Sequence, residues 1–101
     1  IKARVDANQK EIVQELRKRG ISVLHTHQLG KGAPDIIVGY MNSNYLIEIK
    51  DGNKSKSQQR LTKDELDFSL KWRGSYAVCN SLEQILLLID YDKERAVRKT
   101  S

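Results

Sequence analysis

The chain has 101 residues, 39% of them hydrophobic, which is enough for one core and too little for two comfortable domains. A lone cysteine, Cys79, excludes an internal disulfide, and no apolar run reaches the roughly 18 residues that a membrane helix requires. The formal charge of +5 suits a polyanionic partner, and equally a merely soluble basic surface. Nothing at the N-terminus has the pattern of a signal peptide, so the expected compartment is the cytoplasm; a chain opening on Ile1 is expected to have its natural start upstream.

Between Asp6 and Arg19 the apolar positions Ile12, Val13 and Leu16 fall at helical spacing, and Gly20 stands where a helix ends in a left-handed turn. Next, Ile21, Val23 and His25 alternate with Ser22, Leu24 and Thr26, the period of a strand. The run QLGKGAP, with two glycines and the only proline, predicts a loop. A second strand is predicted over Asp35 to Tyr40, a turn at MNSN, and a third strand from Tyr45 to Lys50. The polar stretch DGNKSKSQQR reads as an exposed, mobile loop.

Thr62-x-x-Glu65 has the pattern of a capping box and opens a second helix carrying Leu66, Phe68, Leu70 and Trp72 toward Gly74. SYAVC predicts a fourth strand. Ser81 with Gln84 repeats the capping-box pattern ahead of ILLLI, giving a third helix to about Asp90. Residues 91–101 are a charged tail that fits either a frayed end or a continued helix. Helix, three strands, helix, strand and helix in that order predict an α/β domain, one small mixed sheet flanked by helices, spanning 1–101 without repeat or linker.

Three charged side chains stand on strands that should bury oil. Side chains alternate along a strand, so Asp35, Ile37 and Gly39 share one face of the second strand, and Leu46, Glu48 and Lys50 share one face of the third. A hairpin closing at Asn42-Ser43 sets Met41 opposite Asn44, Ile37 opposite Glu48 and Asp35 opposite Lys50, with the two carboxylates on a diagonal. Two carboxylates held together need positive charge; Lys50 supplies one and a divalent cation two more. Oxygen ligands on a partly open site suit Mg2+ or Mn2+, and the chemistry that uses such a set is phosphodiester hydrolysis. An ordinary surface salt bridge is the competing reading of the same residues.

At these positions the chain resembles the PD-(D/E)xK nuclease superfamily, with Pro34-Asp35 followed by Glu48-Ile49-Lys50. More closely it is similar to the small stand-alone VRR-NUC nucleases of phages and prophages, through NQKEIVQELRKRG, GAPDIIVGY, YLIEIKDG, LTKDE and WRGSYAVCNSLEQIL in order, from about Asn8 to Ile89. The resemblance implies a restriction-endonuclease-like core. It further implies that Asp35, Glu48 and the Ile49 carbonyl bind Mg2+ or Mn2+ while Lys50 acts on the attacking water. It also implies a homodimer related to Holliday-junction resolvases, cutting DNA, with four-way junctions among the expected substrates. The family's usual acidic residue on the first helix falls here on Gln9, which can hold a water but adds no charge; a polar residue near a helix start fits Gln9 as well. A glutamine usual in the helix after the loop is replaced by Glu65, already assigned to the capping box.

Lys31, Lys54, Lys56 and Arg60 bracket the expected site in loops, where they fit phosphate contacts or a solvated charge run; Gln58 and Gln59 have the same two readings. His25 and His27 are expected on one strand face, beside the catalytic loop, without the partners of a zinc site. Phe68 and Trp72 are expected in the core, as is Cys79. No recognition helix stands out, which points to binding by backbone and shape.

Overall fold

The computed structural model describes residues 7–92, so Asp6 and the tail from residue 93 onward lie outside the described residues. The elements follow the predicted order: α1 Ala7–Lys18, β1 Ser22–His25, β2 Ile36–Tyr40, β3 Ser43–Ile49, α2 Lys63–Lys71, β4 Tyr76–Cys79 and α3 Leu82–Leu88. They form a small α/β domain with one mixed sheet in the order β1-β2-β3-β4. The first three strands pair antiparallel, and β3 pairs parallel with β4 across the α2 crossover. Among the described residues no helix is long and apolar enough to cross a membrane.

α1 forms because Ile12, Val13 and Leu16 make one apolar stripe, and all three are buried. It stops at Gly20, whose φ of +78° lets the Gly20 N–H reach the Arg17 carbonyl at 3.0 Å and the Ile21 N–H reach Leu16 at 3.1 Å. α1 and α3 pack on the sheet face made by Ile36, Val38, Ile47, Ile49 and Cys79. These are alternate positions of each strand, as the period of two demands. Leu16, Ile36, Val38, Ile47 and Ile85 are shut off from water, each contributing roughly 1.5–3 kcal/mol.

The opposite face is thinly covered. α2 has no buried residue; Leu66, Leu70 and Trp72 are exposed, as are Leu24 of β1 and Val78 of β4. Phe68 and Trp72 are therefore not core residues, contrary to expectation. Their rings stack on one another at 5.6 Å, and Phe68 leans on Tyr76 at 6.0 Å. Helical spacing places two aromatics on one stripe, but only Phe68 is half-covered, by Tyr76 and the neighbouring ring, while Trp72 stays exposed. Cys79 is buried as expected, and burial pushes its thiol above the usual range.

α2 begins with the full capping box: Thr62 Oγ1 accepts the Glu65 N–H and the Glu65 carboxylate accepts the Thr62 N–H. α3 departs slightly from the expected pattern. Ser81 takes the Gln84 N–H, while Gln84 Oε1 accepts from Asn80 instead, one residue earlier, at 2.7 Å. The run after β1 also opens with a single 3-10 turn, His27–Leu29, so His27 is not a strand residue.

The hairpin register differs from expectation. The two-residue turn is Met41-Asn42, with φ of +49° and +65°, and Tyr40 pairs with Ser43, Gly39 with Asn44, Ile37 with Leu46 and Ile36 with Ile47. Positive φ at both central residues matches the strand twist, and Asn tolerates it far better than Met. The register is displaced by two residues, so every side chain keeps its face and Asp35 comes opposite Glu48 instead of Lys50. Met41→Asn should remove part of the left-handed penalty and stabilise the protein by up to about 1 kcal/mol, read as a rise in the urea midpoint at unchanged slope.

Candidate active site

Asp35 sits at the mouth of β2, where two backbone contacts fix it. Its carbonyl accepts the Thr26 N–H at 2.9 Å, and its Oδ2 accepts the Ile49 N–H at 2.7 Å across the hairpin. Thr26 is buried and also donates its hydroxyl to the Pro34 carbonyl at 2.6 Å, closing the loop from both sides. Glu48, 4% exposed, shares a hydrogen bond with the Asp35 carboxyl. Two carboxylates in contact cannot both be charged there without compensation. Burial, then the charge of Asp35 and the shared hydrogen bond, pushes Glu48 up to about 9. Burial raises Asp35 as well, against the opposing Ile49 N–H.

Lys50 lies on the same face, its Nζ 2.7 Å from Glu65 Oε1 and 3.5 Å from Glu48 Oε2. Burial works against its charge, but the hydrogen bond to Glu65 and the charge of Glu48 outweigh it and hold the ammonium above its usual range. For Glu65 burial is likewise outweighed, by Lys50 and the Thr62 N–H, and its carboxyl is lowered. Tyr76 reports the same field: burial and the nearby Glu48, Glu65 and Asp35 push its phenol up to about 12, and its buried hydroxyl has no hydrogen-bond partner among the described residues.

These groups wall a cleft of about 340 Å3, lined by Gln9, Asp35, Glu48, Ile49, Lys50, Asp51, Lys54, Gln58 and Glu65. A second cleft of about 250 Å3 shares Asp35, Glu48 and Glu65 and is completed by His27, Gly30, Gly32 and Ala33. The carboxylates thus form a ridge between two hollows. A slightly larger hollow of about 390 Å3 at the far end of the hairpin, around Tyr40 to Asn44, contains neither carboxylate nor lysine.

The expected residues Gln9, Asp35, Glu48, Ile49, Lys50 and Lys54 are brought together. Gln9 is 4% exposed near the start of α1, with its amide nitrogen 3.5 Å from His25 Nδ1. Both glutamines brace the loop, Gln58 by accepting from the Ser55 N–H at 3.3 Å and Gln59 by donating to the Lys54 carbonyl at 2.7 Å and accepting from Asn80 at 3.5 Å, but only Gln58 lines the cleft. Lys31, Lys56 and Arg60 are exposed and lie outside the walls of both clefts.

Two residues take part in the site in ways that sequence reasoning missed: His27, expected on a strand beside the catalytic loop, stands in a 3-10 turn within the cleft wall, and Glu65, expected as a cap, also binds Lys50. His27 walls the second cleft with both ring nitrogens buried and unpartnered among the described residues. Glu65 is more than a helix cap, because its Oε1 receives Lys50 as well as the Thr62 N–H. Gly32 makes that possible. It has a φ of +81°, and a Cβ there would overlap the Asp64 carbonyl, so only glycine lets the loop before Asp35 close on the first turn of α2.

Among the described residues, no three or more His, Cys, Asp or Glu side chains converge as a metal cage. Glu65 is committed to Lys50 and Thr62, and Asp51, which also lines the cleft, accepts the Asn53 N–H; Asp35 and Glu48 are the carboxyl groups in contact with one another. Mg2+ commonly binds through one or two carboxylates and keeps waters in the remaining positions. Comparison with protein-family models, curated proteins and solved structures finds no match to this chain.

Two stability measurements probe this geometry. Gly20→Ala, in open space, should cost about 1–2 kcal/mol from the left-handed backbone alone; Gly32→Ala should cost clearly more in the same denaturant titration, since backbone atoms must move. The second concerns pH. Glu48 has a folded pKa raised above its ordinary value, so its contribution to stability is full below about 4.5 and is lost as pH rises through about 9. Glu65 and Glu15, lowered, act only at the acid end of the range. In EDTA the melting temperature of the protein should therefore fall from pH 5.5 to 9, and Glu48→Gln should flatten that slope.

Proposed function

We propose that this chain is a metal-dependent DNA endonuclease with a restriction-endonuclease-like core, of the stand-alone VRR-NUC kind within the PD-(D/E)xK superfamily. The observation that carries the reading is the contact of Asp35, just ahead of β2, with Glu48 on β3, beside the ammonium of Lys50. A pair that keeps a proton up to about 9 is short of positive charge, which is the electrostatic condition for a divalent cation.

Asp35, Glu48 and the Ile49 carbonyl would hold Mg2+ or Mn2+. When bound, the cation supplies Lewis-acid activation of the phosphodiester and of the attacking water. The chain's own groups do the rest. Lys50, held as an ammonium, orients the water and offsets charge that develops on the phosphoryl oxygens. Gln9, buried in the cleft wall, offers its amide oxygen to a water. Lys54 and Gln58 face the cleft as phosphate contacts, while Lys31, Lys56 and Arg60 attract the backbone from outside it and give salt-dependent affinity. The protein acts in the cytoplasm as a homodimer on branched DNA, four-way junctions included; the exposed Leu66, Leu70 and Trp72 are apolar surface of the sort that a second copy covers.

The buried, neutral Gln9 in place of a further carboxylate favours a second reading, a nucleic-acid-binding module of the same fold that does not cut. Incubation with a four-way junction, the matching duplex and a single strand, in Mg2+, Mn2+ or EDTA, separates the two. The nuclease reading expects metal-dependent cuts. Asp35→Ala and Glu48→Ala should each lower the rate by at least about 100-fold while the protein stays folded by circular dichroism. Lys50→Ala should depress turnover more than DNA affinity. Salt-sensitive binding with no cutting in any metal would establish the binding module instead.

A further inference from the structure

The ion pair between Lys50 and Glu65 carries one more step, which rests on the nuclease reading for its catalytic part. Lys50 is at the end of β3 on a four-carbon stem with many rotamers, and a strand alone does not fix its ammonium. Glu65 does. A single oxygen, Oε1, accepts both the Lys50 ammonium at 2.7 Å and the Thr62 N–H at 2.8 Å, while the Glu65 N–H is held by Thr62 Oγ1 at 3.2 Å. The carboxylate is therefore anchored at the start of α2 before it meets the lysine. The side chains involved are 14% and 18% exposed, so water competes weakly for the contact.

The anchor is itself fixed to the side of the site that carries Asp35. Gly32 lies against the Asp64 carbonyl and the Glu65 nitrogen, and the same loop runs on to Asp35. The start of α2, the loop before β2 and the end of β3 thus meet at Glu65. In that position the ammonium is also 3.5 Å from Glu48 Oε2.

We infer that Glu65 is the positioning residue for Lys50, using a helix cap as a fixed post that holds the ammonium beside the Asp35–Glu48 pair. Glu65 touches no reacting atom in this scheme and acts through Lys50 alone. A purely structural Glu65 would matter only as half of the capping box, and Thr62 is the other half. Comparing the two residues separates the roles.

Turnover and KM on the cleaved DNA are to be measured for Thr62→Ala, Glu65→Gln, Glu65→Ala, Lys50→Ala and the Lys50→Ala, Glu65→Ala double variant. Glu65→Ala should lower kcat by at least about tenfold, the scale of a charge-assisted hydrogen bond, with KM within about threefold. Glu65→Gln, which keeps a capping box and a neutral acceptor, should fall between it and the wild type. Thr62→Ala should lose less than about threefold, and the double variant should be no slower than Lys50→Ala, because the two residues work as a unit. Equal losses for Thr62→Ala and Glu65→Ala, or additive losses in the double variant, would overturn the assignment.

A second measurement needs no activity. The Lys50 ammonium should give a slowly exchanging signal in a cold 1H–15N spectrum of the DNA-free protein, assigned by its absence in Lys50→Arg. The signal should persist in Thr62→Ala and vanish in Glu65→Ala. Its persistence in folded Glu65→Ala would sink the positioning role even for a chain that cuts nothing, and its loss alongside an inactive wild type would sink the nuclease reading alone.

Discussion

Two carboxyl groups that repel one another in water are held in contact by a sheet that gives them no other place to go. Asp35 and Glu48 oppose one another because Ile36 pairs with Ile47 and Val38 with Tyr45 one step further along the same hairpin. Sliding the register by one residue would turn one strand's buried pair outward, either Ile36 and Val38 or Ile47 and Ile49, at roughly 1.5–3 kcal/mol for each buried aliphatic side chain. That far exceeds what separation of one carboxyl pair returns, particularly as protonation of Glu48 already relieves it. The apolar face therefore sets the chemistry of the polar one.

The two faces divide the work. α1 and α3 close over the aliphatic side, and the other side is left to α2, which contributes no buried residue but fixes two functional groups by its first turn. Its capping box holds Glu65 against Lys50, and its first backbone turn receives the loop of Gly32 ahead of Asp35. A helix that adds little to the core still orders the site. The large exposed side chains of α2 follow from the same arrangement, since its position is set by the loop and the ion pair more than by burial.

Much of this was legible in the residues. The period of two put Asp35, Glu48 and Lys50 on one face, and a register displaced by two left that conclusion intact while changing the partner of Asp35 from Lys50 to Glu48. The displacement was hidden because it requires Met41 in a left-handed conformation, which a reading of turn chemistry has no reason to choose. Phe68 and Trp72 have the spacing of a buried stripe, but spacing does not say whether another element covers it. The capping role of Glu65 was written in Thr62-x-x-Glu65; its bond to Lys50 depends on how closely Gly32 lets two loops approach, a tertiary fact. Gln58 and Gln59 are chemically identical neighbours, and only the turns of their loop decide which faces the cleft.

The Met41-Asn42 turn bears on the order of folding. A two-residue turn closes a hairpin within microseconds, well ahead of a parallel pairing that waits for a crossover helix, so β2 meets β3 before β4 can arrive. Asp35 and Glu48 then approach while their surroundings are still wet and Glu65 has yet to take Lys50. Repulsion between Asp35 and Glu48 then falls on the early, climbing part of the folding reaction, so protonation of the pair is expected to act on the refolding rate more than on the unfolding rate.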